Sequence, residues 1–150
     1  MNSYLAAAIQ MRCNRSPEEN LSTALAMVRQ AAQKGAKLIL LPELFEHWYF
    51  CQEKNYDLYS YEENPAVQAL RPLAKELGVV LPVSFYEKDG LSLYNTVAVI
   101  DADGSILGIY RKTHIPDDHF YQEKFYFTPG NTGFQVWDTA VGRIGVGTGW

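Results

Sequence analysis

Two charged side chains in this sequence follow apolar runs that are typical of buried strands. Glu43 comes directly after Leu38–Leu41 and Pro42. Lys112 comes soon after the run Ile106–Tyr110. In open α/β sheets, ligand sites lie at the carboxyl ends of the strands. A carboxylate beside apolar residues can act as a general base, and a lysine can stabilise a developing oxyanion. Either residue alone is more simply a solvated side chain, but the two together indicate a site.

The elements that would position these residues begin with a strand–helix–strand unit. The apolar runs Tyr4–Gln10 and Leu38–Leu41 predict buried strands. Between them, Ser16 and Glu19 form a capping-box pattern that begins a helix, and Gly35 ends it in a left-handed conformation. Because a crossover helix joins the two strands, parallel pairing is predicted.

A second helix and a series of strands follow. Asn64-Pro65 is a helix start, and Pro72 should kink or shorten the helix because proline lacks an N–H donor. Turns at Lys88–Gly90, Asp101–Gly104 and Val141-Gly142 separate the later apolar runs. Those runs predict strands at Val79–Phe85, Leu93–Ile100, Ile106–Tyr110, Phe134–Trp137 and Ile144–Val146.

Two long connections, Glu43–Glu63 and Arg111–Thr132, are rich in aromatic residues. Long loops in a compact domain are often functional. The second half of the chain is rich in strands, and no helix follows the last of them to cover the sheet. We therefore expect an α/β fold that is part of a domain.

Composition and charge exclude several classes of protein. The chain has 150 residues, of which 47% are hydrophobic and 20% charged, with a net charge of −4. These values favour one globular unit and disfavour nucleic acid or an anionic membrane as a partner. Two cysteines, Cys13 and Cys51, are too few for a disulfide framework, and no apolar run is long enough to span a bilayer. We predict a cytoplasmic protein.

Four strings carry a resemblance that covers the chain from about Tyr4 to Trp150. They are LPELFE, YRKTHIPD, YQEKFYFTPGNTGF and RIGVG. In order and spacing they resemble the motifs of the carbon–nitrogen hydrolase (nitrilase) family, and within it those of the N-carbamoylputrescine amidases. The resemblance implies part of an α-β-β-α sandwich, with residues 1–150 as the N-terminal portion of a single domain that is apparently truncated.

The resemblance also implies roles for individual residues. Glu43 matches the general base, Lys112 the lysine that stabilises the tetrahedral intermediate, and Glu123 a second glutamate that helps to position the site. The family's nucleophilic cysteine stands immediately before a tryptophan, and here Gly149 precedes Trp150. Because glycine offers no nucleophile, the chain as written is expected to be inactive.

The activity implied for the intact scaffold is hydrolysis of N-carbamoylputrescine, or of a related N-carbamoyl amine or linear amide, in polyamine biosynthesis. The resemblance implies no cofactor and no metal, a small ureido or amide substrate, and a homo-oligomer when intact. The alternative is a non-catalytic copy, truncated or degenerate, that acts only in binding or subunit association.

Three further readings compete for particular residues. His114, Asp118 and His119 could hold a metal, although loop residues around a site entrance explain them better. The glycines of Gly145–Gly149 resemble part of a phosphate-binding loop, which needs a following helix. Neither Cys13, Cys51 nor the hydroxyl of Thr148 is a convincing substitute for the missing thiol.

Overall fold

A parallel pair of strands flanking a long helix opens the fold. In this computed structural model, which describes residues 3–54 and 64–149, β1 (Leu5–Ala8) pairs with β2 (Ala36–Leu40). The connecting helix α1 spans Pro17–Gln33. The predicted parallel pairing is therefore confirmed. β1 is shorter at both ends than its apolar run, whereas β2 begins two residues before its run and ends one residue earlier.

The start of α1 differs from the predicted capping box in one of its two hydrogen bonds. Ser16 Oγ accepts from Glu19 N at 3.3 Å, as predicted. The Glu19 carboxylate does not return to the Ser16 N–H but accepts from Asn14 Nδ2 at 2.7 Å. Asn14 Oδ1 accepts from that N–H instead, at 2.8 Å. The reciprocal half of the box is thus wrong, because a nearer amide satisfies the same donor. Gly35 has φ +93°, as predicted for the residue that ends the helix.

The second helix, α2 (Pro65–Leu77), runs through its internal proline. Asn64 caps it by accepting from Val67 N at 2.9 Å, and Gly78 ends it with φ +61°. Pro72 was predicted to kink or shorten the helix: the shortening is wrong, and the kink stays a prediction. Pro72 is exposed, so water can bind the carbonyl that its missing N–H leaves free. No helix within residues 3–54 and 64–149 is long and apolar enough to cross a membrane.

The central sheet is an antiparallel meander joined to the first strand pair. It comprises β3 (Leu81–Asp89), β4 (Ser92–Ile100) and β5 (Ile106–Arg111). A parallel bridge between Leu38 and Val80 connects β2 to the start of this meander. This bridge joins the strand pair to the meander by hydrogen bonds. The ends of β2 and β5, where the sequence predicted a site, therefore belong to one hydrogen-bonded arrangement of strands.

The long connections contain short elements of their own. A turn of 3₁₀ helix covers Phe50–Gln52 in the first, and β6 (Asp117–Asp118) pairs with β7 (Tyr121–Gln122) in the second. Aromatic rings from both connections pack around Phe50. Its centroid lies 4.9 Å from that of Tyr126 in an edge-to-face contact, an arrangement that stabilises aromatic pairs. The predicted aromatic positions Tyr56, Tyr59 and Tyr61 lie outside the described residues.

Different elements pack on the two faces of the sheet. Both helices pack on one face, around a core that includes Val28, Ile39, Leu70 and Ile100. The hairpin of β8 (Val136–Thr139) and β9 (Gly142–Gly145) lies on the other, where Trp137 packs with Val99 and Tyr110. This second face is only partly covered.

Candidate active site

Glu43 is placed by a tightly held segment that follows β2. The next residue, Leu44, has φ +53°, a left-handed conformation that costs a branched side chain free energy. Its N–H donates to Ser84 Oγ at 3.0 Å, and its side chain is buried. Two residues later, the buried carboxylate of Glu46 accepts from Ala66 N at 3.1 Å, at the start of α2. These contacts turn the chain so that Glu43 leaves the sheet toward the second long connection.

Burial also determines the ionisation of Glu46. Its side chain accepts a second hydrogen bond, from Asn64 Nδ2 at 2.6 Å. Desolvation raises the pKa of Glu46 above its ordinary value, and the two hydrogen bonds only partly oppose that rise. Glu46 was not predicted as a site residue. The string LPELFE contains it, but nothing in the string distinguishes a buried glutamate from an exposed one.

Lys112 links Glu43 to Glu123. It directly follows β5, its N–H donates to Asn95 O at 2.8 Å, and its side chain is 3% exposed. Its Nζ lies 2.9 Å from Glu43 Oε1 and 2.9 Å from Glu123 Oε2. Burial alone lowers the pKa of Lys112, but the hydrogen bonds to both carboxylates outweigh it and the pKa lies above the ordinary value. The lysine is therefore a fixed positive charge at neutral pH.

Glu123 begins a 3₁₀ turn, Glu123–Phe125, and is as buried as the lysine, at 3% exposure. Its Oε1 accepts from Tyr49 OH at 2.7 Å. Burial, and then this hydrogen bond to a carboxylate, raise the pKa of Tyr49, so the phenol stays a donor. Tyr49 and Glu123 come from the two aromatic connections, whose packing brings them together.

The predicted site residues thus come together around one cavity. Glu43, Lys112, Glu123 and Gly149 all line it, and its volume is about 610 Å³. The remaining lining residues are Tyr49, Pro116, Asp117, Asp118 and Tyr121. A β-carbon on residue 149 would lie 3.6 Å from Glu43 Oε2, an ordinary van der Waals distance. A side chain at 149 would therefore stand beside the carboxylate oxygen that Lys112 does not contact.

This arrangement has the parts of a nucleophilic acyl-transfer site except the nucleophile. Glu43 Oε2 is placed to accept a proton from a group on residue 149. The Lys112 ammonium is a preorganised positive charge for an oxyanion in the same cavity. The neighbouring Trp150, part of the predicted motif, lies outside the described residues.

The other candidate nucleophiles are poorly placed. Cys51 is fully buried among the aromatic residues, where desolvation and then the charges of Glu123 and Glu43 raise its pKa, so it remains a thiol. Burial also raises the pKa of Cys13, which packs beside the helical core. Thr148 Oγ1 is buried and has no hydrogen-bond partner among the described residues.

The structure gives no support to the metal and phosphate readings. Across residues 3–54 and 64–149, no three His, Cys, Asp or Glu side chains are grouped to hold a metal, so His114, Asp118 and His119 form no such site. Asp118 instead lines the cavity shared by Glu43, Lys112 and Glu123. The described chain ends at Gly149, before the position of the helix that a phosphate loop requires, so that reading stays a prediction.

Asn95 and Tyr49 are the site residues that sequence reasoning missed. Asn95 Nδ2 donates to Glu43 Oε1 at 2.6 Å from within β4. The only sign of this residue in the sequence is an amide side chain within a mainly apolar strand. Tyr49 lies in a connection that was expected to be functional, but no pattern separates it from the neighbouring aromatic residues.

Comparisons with known proteins agree with this geometry. The carbon-nitrogen hydrolase family model matches residues 5–150. An N-carbamoylputrescine amidase from Arabidopsis thaliana is 48% identical over 97% of this chain and 50% of its own length. A citrullinase from Francisella tularensis is 47% identical over 100% of this chain and 54% of its own. This chain therefore spans about half the length of these relatives.

A solved structure gives the same result for the fold. The carbon-nitrogen hydrolase from Helicobacter pylori G27 superposes with a TM-score of 0.84 at 38% identity, over 91% of this chain and 49% of that one. The predicted fold class, an α/β arrangement forming part of an α-β-β-α sandwich, is confirmed. This chain belongs to the carbon-nitrogen hydrolase family.

Proposed function

We propose that this scaffold is built to hydrolyse the carbon–nitrogen bond of N-carbamoylputrescine, or of a related N-carbamoyl amine or linear amide, and that Gly149 leaves the chain without turnover. Residues 1–150 would form the N-terminal portion of one hydrolase domain. The observation that carries the proposal is the Glu43–Lys112–Glu123 cluster on a cavity wall beside position 149.

The chemistry of the scaffold follows from a cysteine at position 149. Glu43 takes the thiol proton, and the thiolate attacks the ureido or amide carbonyl carbon. Lys112 stabilises the oxyanion of the tetrahedral intermediate. The intermediate collapses, and ammonia or an amine leaves with the proton from Glu43. Water, deprotonated by Glu43, then hydrolyses the thioester and frees the thiol. Glu123 keeps Lys112 oriented through its 2.9 Å contact.

The charges that line the cavity favour a substrate with a cationic end. The lining includes four acidic residues, Glu43, Asp117, Asp118 and Glu123, and one basic residue, Lys112. Such an excess of negative charge attracts an ammonium group and repels a carboxylate. N-carbamoylputrescine carries an ammonium group far from its ureido group, whereas citrulline also carries a carboxylate. This supports the amine substrate over the amino acid.

The decisive experiment compares three residues at position 149. Ammonia release from N-carbamoylputrescine is measured for the natural Gly149 protein, for Gly149→Ala and for Gly149→Cys. We expect release only from the cysteine variant, with citrulline hydrolysed more slowly. Alanine is the matched control because its β-carbon fits at 3.6 Å from Glu43 without adding a nucleophile. Equal release by the glycine and cysteine forms would contradict the proposal.

A non-catalytic binding role is the second candidate, and glycine at the nucleophile position favours it. The charged cluster is complete without residue 149, so the cavity can hold a ureido ligand without cleaving it. Calorimetric titration of the natural protein with N-carbamoylputrescine tests this role. Saturable binding without ammonia release supports it, and absence of binding at millimolar ligand contradicts it. A homo-oligomeric state and a cytoplasmic location stay predictions.

A further inference from the structure

The hydrogen bonds to Glu43 are unevenly divided between its two carboxylate oxygens. Oε1 accepts from Asn95 Nδ2 at 2.6 Å and from Lys112 Nζ at 2.9 Å. Oε2 is the oxygen that faces position 149. The last torsion of a glutamate side chain is broad and roughly two-fold, so it does not itself choose between the two oxygens. Two donors on one oxygen make that choice.

Both donors are fixed by the same pair of strands. Asn95 is fully buried in β4, and its carbonyl accepts from the Lys112 N–H at 2.8 Å. The amide and the ammonium therefore project from directly adjacent positions onto Glu43 Oε1. An isolated salt bridge would leave the carboxylate free to pivot about Lys112, and the second donor removes that freedom.

The amide of Asn95 has no other hydrogen bond that would explain its burial. Its Oδ1 is buried with no hydrogen-bond partner among the described residues. A buried acceptor without a partner destabilises a fold, so the site calls for an explanation other than stability. A donor aimed at Glu43 supplies that explanation.

We propose that Asn95 is a positioning residue, which holds the Glu43 carboxylate so that Oε2 faces a nucleophile at position 149. The inference rests on the proposed function, in which Glu43 is the general base. Asn95 acts only through Glu43 and is absent from the residues that line the cavity as described. Leucine at this position removes the donor and keeps a side chain of similar size, and alanine removes the donor without adding a charge.

The test follows the reactivity of a thiol at position 149. In a Gly149→Cys background, the rate of alkylation by iodoacetamide is measured from pH 6 to 9, by the mass of the tryptic peptide that contains residue 149. We expect Glu43→Gln to lower the rate at pH 7 about tenfold, because no carboxylate then accepts the thiol proton as the sulfur attacks, and to leave a rate that rises with pH as the thiol ionises. Asn95→Leu and Asn95→Ala should each lower it about threefold or more, with the same rise of the rate with pH.

Thr96→Val is the matched control for these variants. Thr96 is the next residue of β4, is fully buried, and donates to Glu87 Oε2 at 2.5 Å, so its loss perturbs the strand without touching Glu43. Its alkylation rate should stay within about twofold of the parent. If leucine at position 95 prevents folding, alanine gives the same comparison, because it also removes the donor and adds no charge.

The outcomes separate the two proposals. Slow alkylation in Glu43→Gln together with parental rates in both Asn95 variants overturns the role of Asn95 and leaves the general base intact. A parental rate in Glu43→Gln overturns the proposed function itself. An equal loss in Thr96→Val and the Asn95 variants also overturns the inference, because a general disturbance of the strand then explains it.

Discussion

Replacing Lys112 by methionine should destabilise the fold through the charges that it leaves behind. Methionine keeps most of the length of the side chain but removes the ammonium group that lies 2.9 Å from both Glu43 and Glu123. Removing one partner of a buried ion pair costs about 3–5 kcal/mol, because the remaining charge is left uncompensated. We expect the free energy of unfolding in urea at pH 7 to fall by about that amount.

The structure divides this cost unequally between the two glutamates. Glu123 is 3% exposed, whereas Glu43 is 31% exposed and can be solvated once the lysine is gone. Most of the penalty should therefore come from Glu123. Adding Glu123→Gln to Lys112→Met should recover about 2 kcal/mol, and adding Glu43→Gln should recover under about 1 kcal/mol.

The assay compares urea denaturation of the natural protein, Lys112→Met and the two double variants, followed by circular dichroism. The two glutamine substitutions alone serve as controls for the loss of each hydrogen bond. Equal recovery by the two glutamines would refute the reasoning, since it would mean that exposure does not determine the cost. A loss below about 1 kcal/mol in Lys112→Met would refute the premise that the cluster is desolvated.

Three further predictions concern other residues. Because its folded pKa is raised, Glu46 stabilises the fold most below its ordinary pKa of 4.5, and this contribution is lost as the pH rises through the raised value. Urea denaturation should therefore show the stability of the natural protein falling relative to Glu46→Gln as the pH rises above 4.5. Gly130→Ala should destabilise by about 3 kcal/mol in the same assay, since its β-carbon would lie 2.0 Å from the Arg111 carbonyl oxygen. Changing Asp117 and Asp118 together to asparagine should weaken calorimetric binding of N-carbamoylputrescine about three- to tenfold and leave a neutral linear amide unaffected.

The part of the site that lies at strand ends could be predicted from the sequence. Apolar runs locate β2 and β5, and the ends of these strands locate Glu43 and Lys112 without reference to any relative. Glu123 could be identified only by resemblance, because it sits in a connection with no periodic pattern. Its position depends on the packing of aromatic rings, such as Phe50 on Tyr126, that are far apart in the sequence.

The remaining errors have local physical causes. Helix α2 passes through Pro72 because that residue faces solvent, and the periodicity of a sequence does not reveal which carbonyls water can reach. Asn14 replaces Glu19 in the capping of α1 because it is the nearer acceptor. Asn95 was missed because its partner, Glu43, lies 52 residues away along the chain. The pattern of apolar residues in a strand indicates which side chains are buried, but not which distant residue they contact.

The charged cluster of the site assembles whether or not position 149 carries a nucleophile. Glu43, Lys112 and Glu123 hold one another through contacts made entirely by residues that precede position 149. The space at Gly149 admits a β-carbon without displacing any of them. A change at this position therefore alters the chemistry of the cavity and leaves the Glu43–Lys112–Glu123 cluster in place. For that reason the glycine and cysteine forms are a matched pair, in which a difference in turnover can be attributed to the thiol alone.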